Sequence, residues 1–193
     1  DGHLIEVQRT SAEVYRGKFL TAFKDAVELP DGTMAVREYV VHPGAAMVIP
    51  ILEDENGNLR LVLERQFRYP MGRTMLEFPA GKLDPGESPF DCAQRELQEE
   101  TGYTAHEWAR AGVIHPVISY STEFIEIWFA RQLVAGGRQL DAGESLDVLT
   151  VTPAELMTWC LDGTVTDAKT ICGSLWLQSL FNGSWKPSWQ STR

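Results

Sequence analysis

The sequence has few cysteines and a shortage of positive charge. Its 193 residues include three cysteines, too few and odd in number for a disulfide framework. Lysine and arginine total 17 against 27 aspartates and glutamates, so the formal net charge is -10. Proteins that bind nucleic acid or acidic membranes through general electrostatics show the opposite balance. We therefore expect a cytoplasmic protein with no nucleic-acid or membrane partner, in which local arginines or metal ions bind any anionic ligand.

Long apolar runs and several common motifs are also missing. No run approaches the ~18 apolar residues of a membrane span, and the first ten residues are too polar for a signal peptide. The Gly81-Lys82 pair lacks the flanking residues of a phosphate-binding P-loop, and His106-Glu107 lacks the second histidine of a zinc protease. No three-glycine dinucleotide fingerprint follows a strand. These absences direct attention to the acidic residues.

The residues that are present predict alternating strands and helices. Apolar alternation predicts strands in the first half, and Asn56-Gly57 predicts a type I′ hairpin turn. Capping residues predict a helix from Ser88 to Gly102, and two further helices are expected near 153–161 and 171–181. This order favours an α+β or mixed α/β fold. We expect an N-terminal β extension over residues 1–43 and the main domain over residues 44–193.

The helix from Ser88 to Gly102 carries an acidic stripe. Glu96, Glu99 and Glu100 lie at i, i+3 and i+4, on one side of the helix. Negative charge in the last turn opposes the helix dipole by about 0.3–1 kcal/mol per residue. The plain alternative is a solvated face with one Arg95–Glu99 ion pair. The electrostatic cost and the adjacent Gly/Pro-rich loop instead favour a site for hard divalent cations, which activate water and neutralise phosphoryl oxygens.

Seven residues at fixed spacing form a recognisable motif. They are Gly81, Glu87, Arg95, Glu96, Glu99, Glu100 and Gly102. This pattern resembles the Nudix box, and only Tyr103 stands where that family more often has an aliphatic residue. The resemblance implies hydrolysis of nucleoside diphosphates linked to another moiety. It also implies an α/β/α sandwich with a mixed sheet, and Mg²⁺ as cofactor with Mn²⁺ as a substitute.

The same resemblance implies roles for individual residues. The implied metal ligands are Glu96, Glu99, Glu100, Glu144 and the backbone carbonyl of Ala80. The implied catalytic set is Glu99, Glu100, Glu144 and Arg95. Arg95 would orient the helix glutamates and Glu87 would brace the loop. Glu144, in the late loop 140–148, is expected to act as the base. A helix glutamate is the alternative base, and a plain polar hairpin is the alternative interpretation of that loop.

Further segments resemble the ADP-ribose pyrophosphatase branch and its nucleotide-sugar relatives. They are residues 64–70 (ERQFRYP), 77–81 (EFPAG) and 167–170 (DAKT). The implied substrate-binding residues are Arg37, Arg68, Glu77 and Glu123. The branch implies Mg²⁺-dependent hydrolysis of ADP-ribose to AMP and ribose 5-phosphate. It also implies a homodimer with exchanged N-terminal strands.

One loop after the box departs from the branch pattern. Ile118 and Ser119 stand where the branch often has a second proline and a glycine. Because this loop contacts the substrate in the family, other substrates stay open: GDP-mannose, another nucleoside diphosphate sugar, or a dinucleoside polyphosphate. A module that binds a nucleotide without cleaving it is the alternative of a different class. The complete set of box acids argues against that alternative.

Overall fold

The computed structural model describes residues 1–140, 143 and 145–192. Contacts divide the chain into two units. One unit contains Asp1–Gly44 and His115–Phe124, and the other contains Ala45–Ile114 and Ile125–Arg193. Across the described ranges, none of the helices combines the length and the apolar character that a membrane crossing requires.

The first unit is built on a three-stranded antiparallel sheet in the order β1-β2-β3. Its strands are β1 (Val7–Arg16), β2 (Thr21–Glu28) and β3 (Met34–Val41). The turn between β2 and β3 follows from local sequence. The Asp31 carboxylate accepts the Thr33 N–H at 2.9 Å, and Gly32 takes a φ of 83°, which glycine adopts readily. The Tyr120 carbonyl accepts the Val40 N–H, so the later segment of this unit joins β3.

The second unit contains a mixed sheet. Its strands are β4 (Ala45–Glu53), β5 (Leu59–Arg68), β6 (Arg73–Glu77), β7 (Ala80–Lys82), β8 (Tyr103–Ile114), β9 (Ile125–Ala135), β10 (Leu146–Val151) and β11 (Gln190–Ser191). The main strand order is β10-β5-β4-β9-β8-β11, with β6 paired to β5 and β7 paired to β4. Strands β4 and β9 run parallel, and the other described pairs run antiparallel.

Helices cover both faces of this sheet. They are α1 (Pro89–Glu96), α2 (Pro153–Asp162) and α3 (Ala168–Phe181). Alternate side chains of a strand point to opposite faces. In β4, Met47 packs in a buried cluster with Leu156 of α2 and Leu177 of α3, whereas Val48 packs in a second cluster with Ala93 of α1. The second unit is therefore the α/β/α sandwich that the sequence predicts.

The acidic helix begins as the sequence predicts but ends differently. Ser88 accepts the Asp91 N–H at 3.2 Å, and Gly102 ends the segment with a φ of 77°. Between them, however, α1 stops at Glu96, and Leu97–Thr101 form a π-helical turn. The Thr101 hydroxyl donates to the Leu97 carbonyl within this turn. Such turns widen the helix locally and are frequent at functional sites.

The hairpin between β4 and β5 is not of the type that the sequence predicts. A type I′ turn needs positive φ at both central residues, but Gly57 has a φ of 78° and Asn56 does not share a positive value. The reason is the Asp54 carboxylate, which accepts the N–H groups of Asn56 at 2.9 Å and Asn58 at 2.8 Å. This side chain stabilises a longer turn in place of the tight one.

Candidate active site

Arg95 is the centre of the acidic segment. Its Nη1 donates to Glu96 Oε1 at 2.7 Å and to Glu99 Oε2 at 3.0 Å, which confirms the predicted Arg95–Glu99 pair. The side chain of Glu99 is 30% exposed, whereas Glu96 and Glu100 are buried. The three predicted helix acids therefore lie close together, with two of them removed from bulk water.

Arg95 also ties the helix to the preceding loop. Its Nε and Nη2 donate to the two oxygens of Glu87 at 2.8 and 2.9 Å, and Nη2 donates to the Lys82 carbonyl at 3.1 Å. Glu87 in turn accepts the Asp84 N–H at 2.9 Å. The hydrogen bond from Arg95 lowers the pKa of Glu87 to about 2. These are the contacts that an orienting arginine and a loop-bracing glutamate require.

The backbone of Ala80 and Gly81 lies directly against the helix acids. The Ala80 N–H donates to Glu100 Oε2 at 2.9 Å. A Cβ on Gly81 would lie 1.6 Å from Glu96 Oε1, so any larger residue would displace that carboxylate from its present position. Beneath them, the Cys92 thiol contacts the Gly81 carbonyl at 3.5 Å, and burial raises its pKa to about 12.

Glu64 is a site residue that sequence reasoning missed. It lies on β5 with 0% exposure, and neither carboxylate oxygen has a hydrogen-bond partner among the described residues. Burial raises the pKa of Glu64. Burial, followed by the charges of Glu64 and Glu96, also raises the pKa of Glu100. The available signal was strand alternation, which places Glu64 on the same face of β5 as Arg68.

Arg68 and Glu77 form a second charged group with Lys169. Arg68 Nε and Nη2 donate to the two oxygens of Glu77 at 2.7 and 2.8 Å. Lys169, at the start of α3, donates to Glu77 and, at 3.0 Å, to Asp167. Burial opposes ionisation of Glu77, but Arg68 and Lys169 outweigh it and lower the pKa to about 2. Sequence reasoning predicted Arg68 and Glu77 and assigned no role to Lys169.

The remaining predicted residues lie elsewhere. Arg37 and Glu123 belong to the first unit. Arg37 Nε donates to Glu6 at 2.8 Å, and Glu123 Oε1 lies 3.9 Å from His42 Nε2. Glu144 falls outside the described residues. The substrate-binding roles of the first two and the catalytic role of Glu144 stay predictions.

The cluster of glutamates suits a divalent cation, because its donors are negatively charged oxygens. Glu64, Glu96 and Glu100 are all buried, and one of them has both oxygens unpartnered within the described part of the chain. Among the described residues, no three acidic, histidine or cysteine side chains are arranged so that they could bind a metal ion without moving. Arg95 occupies the space between Glu96 and Glu99. Arg95 meets each of these two glutamates through one carboxylate oxygen, Glu96 Oε1 and Glu99 Oε2, so a cation and Arg95 would share the two carboxylates.

The Glu87–Arg95 pair gives a pH-dependent stability. We expect Glu87→Gln to lower the free energy of unfolding by about 1.5 kcal/mol at neutral pH, because a charged hydrogen bond is lost. The folded-state pKa of Glu87 lies below its ordinary value of 4.5. The stabilisation is therefore complete above that value and disappears as the pH falls through about 2.

Urea denaturation of both proteins from neutral pH down to pH 2 measures this difference. Glu55→Gln, in an exposed turn, is the matched control and should follow the unmodified protein throughout. A gap for Glu87→Gln that stays constant over the series would contradict the assigned interaction.

Comparison with known proteins shows which families this chain resembles. Residues 41–172 match the NUDIX domain family, and residues 8–40 match the family described as the nucleoside diphosphate sugar hydrolase N-terminal domain. An ADP-ribose pyrophosphatase of Bacillus subtilis (strain 168) is 34% identical over 168 residues, which cover 86% of this chain and 89% of that protein. A methanol dehydrogenase activator of Bacillus methanolicus is 34% identical over 182 residues, which cover 92% and 95%.

A solved structure shares the fold. The crystal structure of an ADP compounds hydrolase superimposes with a TM-score of 0.82 and 25% sequence identity, covering 93% of this chain and 95% of that one. The match over residues 41–172 includes the whole acidic helix, the Gly81 loop and Arg68. The chain therefore belongs to the Nudix hydrolase family, as the resemblance of residues 81–103 to the Nudix box implies.

Proposed function

We propose that the protein hydrolyses the diphosphate linkage of ADP-ribose in a Mg²⁺-dependent reaction that yields AMP and ribose 5-phosphate. The observation that carries this proposal is the grouping of buried Glu96 and Glu100 against the Ala80–Gly81 backbone. Arg68 lies close enough that the charges of Glu64 and Glu100 help to raise its pKa. Clustered carboxylates provide the oxygen ligands that hard divalent cations prefer. The planar guanidinium of an arginine can donate two hydrogen bonds to a phosphate.

The metal-binding residues in this proposal are those of the box and its approach. Glu96, Glu99, Glu100 and the Ala80 carbonyl would hold Mg²⁺, and Glu144 would join them. Bound Mg²⁺ supplies neutralisation of phosphate oxygens and a lowered pKa for water. Arg95 would keep the helix glutamates oriented through the contacts described above.

The reaction breaks one phosphoanhydride bond. The oxygen of water forms a bond to one phosphorus, the bond from that phosphorus to the bridging oxygen breaks, and the bridging oxygen stays on the other phosphate. Glu144 is the predicted acceptor of the water proton, with a helix glutamate as the alternative. Arg68, oriented by Glu77, would hold the substrate phosphates. Arg37 and Glu123 are the further predicted substrate contacts.

The relatives support this choice of substrate. Proteins named ADP-ribose pyrophosphatase in Bacillus subtilis and Mycobacterium tuberculosis cover most of this chain at 34% and 31% identity.

Strand β1 is exposed along all ten of its residues within one chain, which leaves it available to a second copy. We propose a cytoplasmic homodimer with exchanged N-terminal strands.

A second candidate is hydrolysis of another nucleoside diphosphate sugar, such as GDP-mannose, or of a dinucleoside polyphosphate. The departure at Ile118 and Ser119 favours it, because the family uses that loop for substrate contact. The match of residues 8–40 to a nucleoside diphosphate sugar hydrolase domain also supports this wider substrate class.

A substrate panel tests both candidates. Purified protein is incubated with ADP-ribose, GDP-mannose and a dinucleoside polyphosphate, each with Mg²⁺ or with EDTA, and the products are separated by chromatography. We expect AMP and ribose 5-phosphate from ADP-ribose only when Mg²⁺ is present, at the highest kcat/KM of the panel. A higher kcat/KM for another compound would favour the second candidate. Binding without metal-dependent cleavage of any compound would reject both and indicate a nucleotide-binding module.

A further inference from the structure

Glu64 is a buried carboxylate that the box motif does not include. Its side chain has 0% exposure, and both oxygens lack a hydrogen-bond partner among the described residues. Burying an unpaired carboxylate is costly, and such groups are normally paired or bound to a metal. A fully enclosed acid in this state therefore requires an explanation.

The nearby cations Arg68 and Lys169 attract Glu64 through space but do not satisfy its oxygens with hydrogen bonds. Across the β5–β6 pairing, Glu64 lies opposite Glu77. The hydrogen bonds that Arg68 and Lys169 make in the structure go to Glu77 and Asp167. Both cations are thus engaged with other acids, and the Glu64 oxygens gain no hydrogen bond from either of them.

The side chain of Glu64 instead lies against the helix acids. Strand β5, which carries Glu64, packs against the Leu97–Thr101 turn, which carries Glu100, and the two carboxylates are close enough to affect each other's pKa. One oxygen of Glu100 is positioned by the Ala80 N–H at 2.9 Å. Two carboxylates that meet in a buried space repel each other when ionised. They become mutually favourable when a divalent cation lies between them, because oxygen ligands and added negative charge strengthen its binding.

We propose that Glu64 is a further carboxylate ligand of the divalent cation that Glu96, Glu99 and Glu100 would hold, and that it acts beside Glu100. The proposal rests on the metal-dependent function proposed above and adds a ligand from strand β5 to those of the helix. It explains why an acid occupies a fully buried position that follows directly on Leu61, Val62 and Leu63, each of them also 0% exposed.

Direct Mn²⁺ binding to the full chain tests the proposal without substrate. Calorimetry or electron paramagnetic resonance gives the dissociation constant for the unmodified protein, for Glu64→Gln and for Glu64→Asp. Glu64→Gln keeps the shape and removes the charge, and we expect Mn²⁺ to bind it about tenfold more weakly or worse. Glu64→Asp keeps the charge on a shorter side chain, and we expect an intermediate affinity.

The control is Glu107→Gln, which also removes one carboxylate but from a residue paired with Arg131. Its Mn²⁺ affinity should equal that of the unmodified protein.

Thermal unfolding gives a second readout. In EDTA, Glu64→Gln should melt at or above the temperature of the unmodified protein, because an unpaired buried charge is gone, and Mn²⁺ should raise its melting temperature less.

The outcomes separate the two proposals. Unchanged Mn²⁺ affinity in Glu64→Gln would overturn the ligand role of Glu64, even if turnover fell. If the unmodified protein did not bind Mn²⁺ at all, the metal-dependent function would fail, and the inference about Glu64 with it. Should Glu64→Gln not fold, Glu64→Asp decides the matter, because an affinity equal to that of the unmodified protein would contradict direct ligation.

Discussion

Replacing Glu100 by Gln is expected to lower kcat/KM for ADP-ribose by about a hundredfold or more, the scale of losing one preorganised electrostatic group at a reacting centre. Glu100 is buried and accepts the Ala80 N–H. A glutamine oxygen can accept the same hydrogen bond, so the backbone contact survives. What is lost is the negative charge that would hold the cation. Steady-state kinetics with Mg²⁺ measures the effect.

Thermal unfolding in EDTA distinguishes lost chemistry from lost structure in the Glu100→Gln variant. Charges on Glu64 and Glu96 act against ionisation of Glu100, so the neutral amide should leave the melting temperature unchanged or higher. Glu126→Gln, which removes a carboxylate paired with Arg110, is the control and should keep normal turnover. Near-normal turnover in Glu100→Gln would remove Glu100 from the catalytic set.

Gly81→Ala is expected to destabilise the fold by about 1–3 kcal/mol, the range for forced overpacking. The added Cβ would lie 1.6 Å from Oε1 and 1.9 Å from Cδ of Glu96. Gly81 is paired to Ala46 of β4 in the sheet, so its backbone cannot retreat easily and the carboxylate must move. Because Glu96 is a proposed metal ligand, turnover should fall together with stability. Urea denaturation measures the stability change.

A double-mutant cycle identifies the clash as the cause. In a Glu96→Ala background the carboxylate is gone, so adding Gly81→Ala should cost much less than it does in the unmodified protein. Gly137→Ala, where a Cβ meets nothing within 4 Å, is the control and should stay within about 0.5 kcal/mol. An equal cost of Gly81→Ala in both backgrounds would show that the glycine is needed for another reason.

The local parts of the site could be predicted from sequence. Ser88 and Gly102 mark the ends of the acidic segment through side-chain capping and positive φ, which are properties of single residues. The Arg95–Glu99 pair needs only helical spacing of i to i+4. These features depend on neighbours within one or two turns, so a residue pattern contains the information that decides them.

The rest depends on contacts between distant segments. The unpartnered state of Glu64 results from strand pairing with Glu77, 13 positions later in the chain, and from packing against the acidic segment. The π turn at Leu97–Thr101 breaks the 3.6-residue period on which the helix prediction was based. Lys169 reaches Glu77 across 92 positions of sequence. No local period encodes such pairings, so these residues could not be placed from the sequence.

Cys92, in the acidic helix, is protected from reaction because it is buried and its thiol pKa is raised. Thiol reagents and oxidants attack the thiolate, and a sulfur with a pKa of about 12 carries almost none at neutral pH. The other two cysteines, Cys160 and Cys172, are partly accessible and belong to the pair of helices on the opposite side of the sheet from the acidic helix. Maleimide dyes would therefore attach to that opposite layer, and fluorescence could follow turnover with the acidic helix left unlabelled.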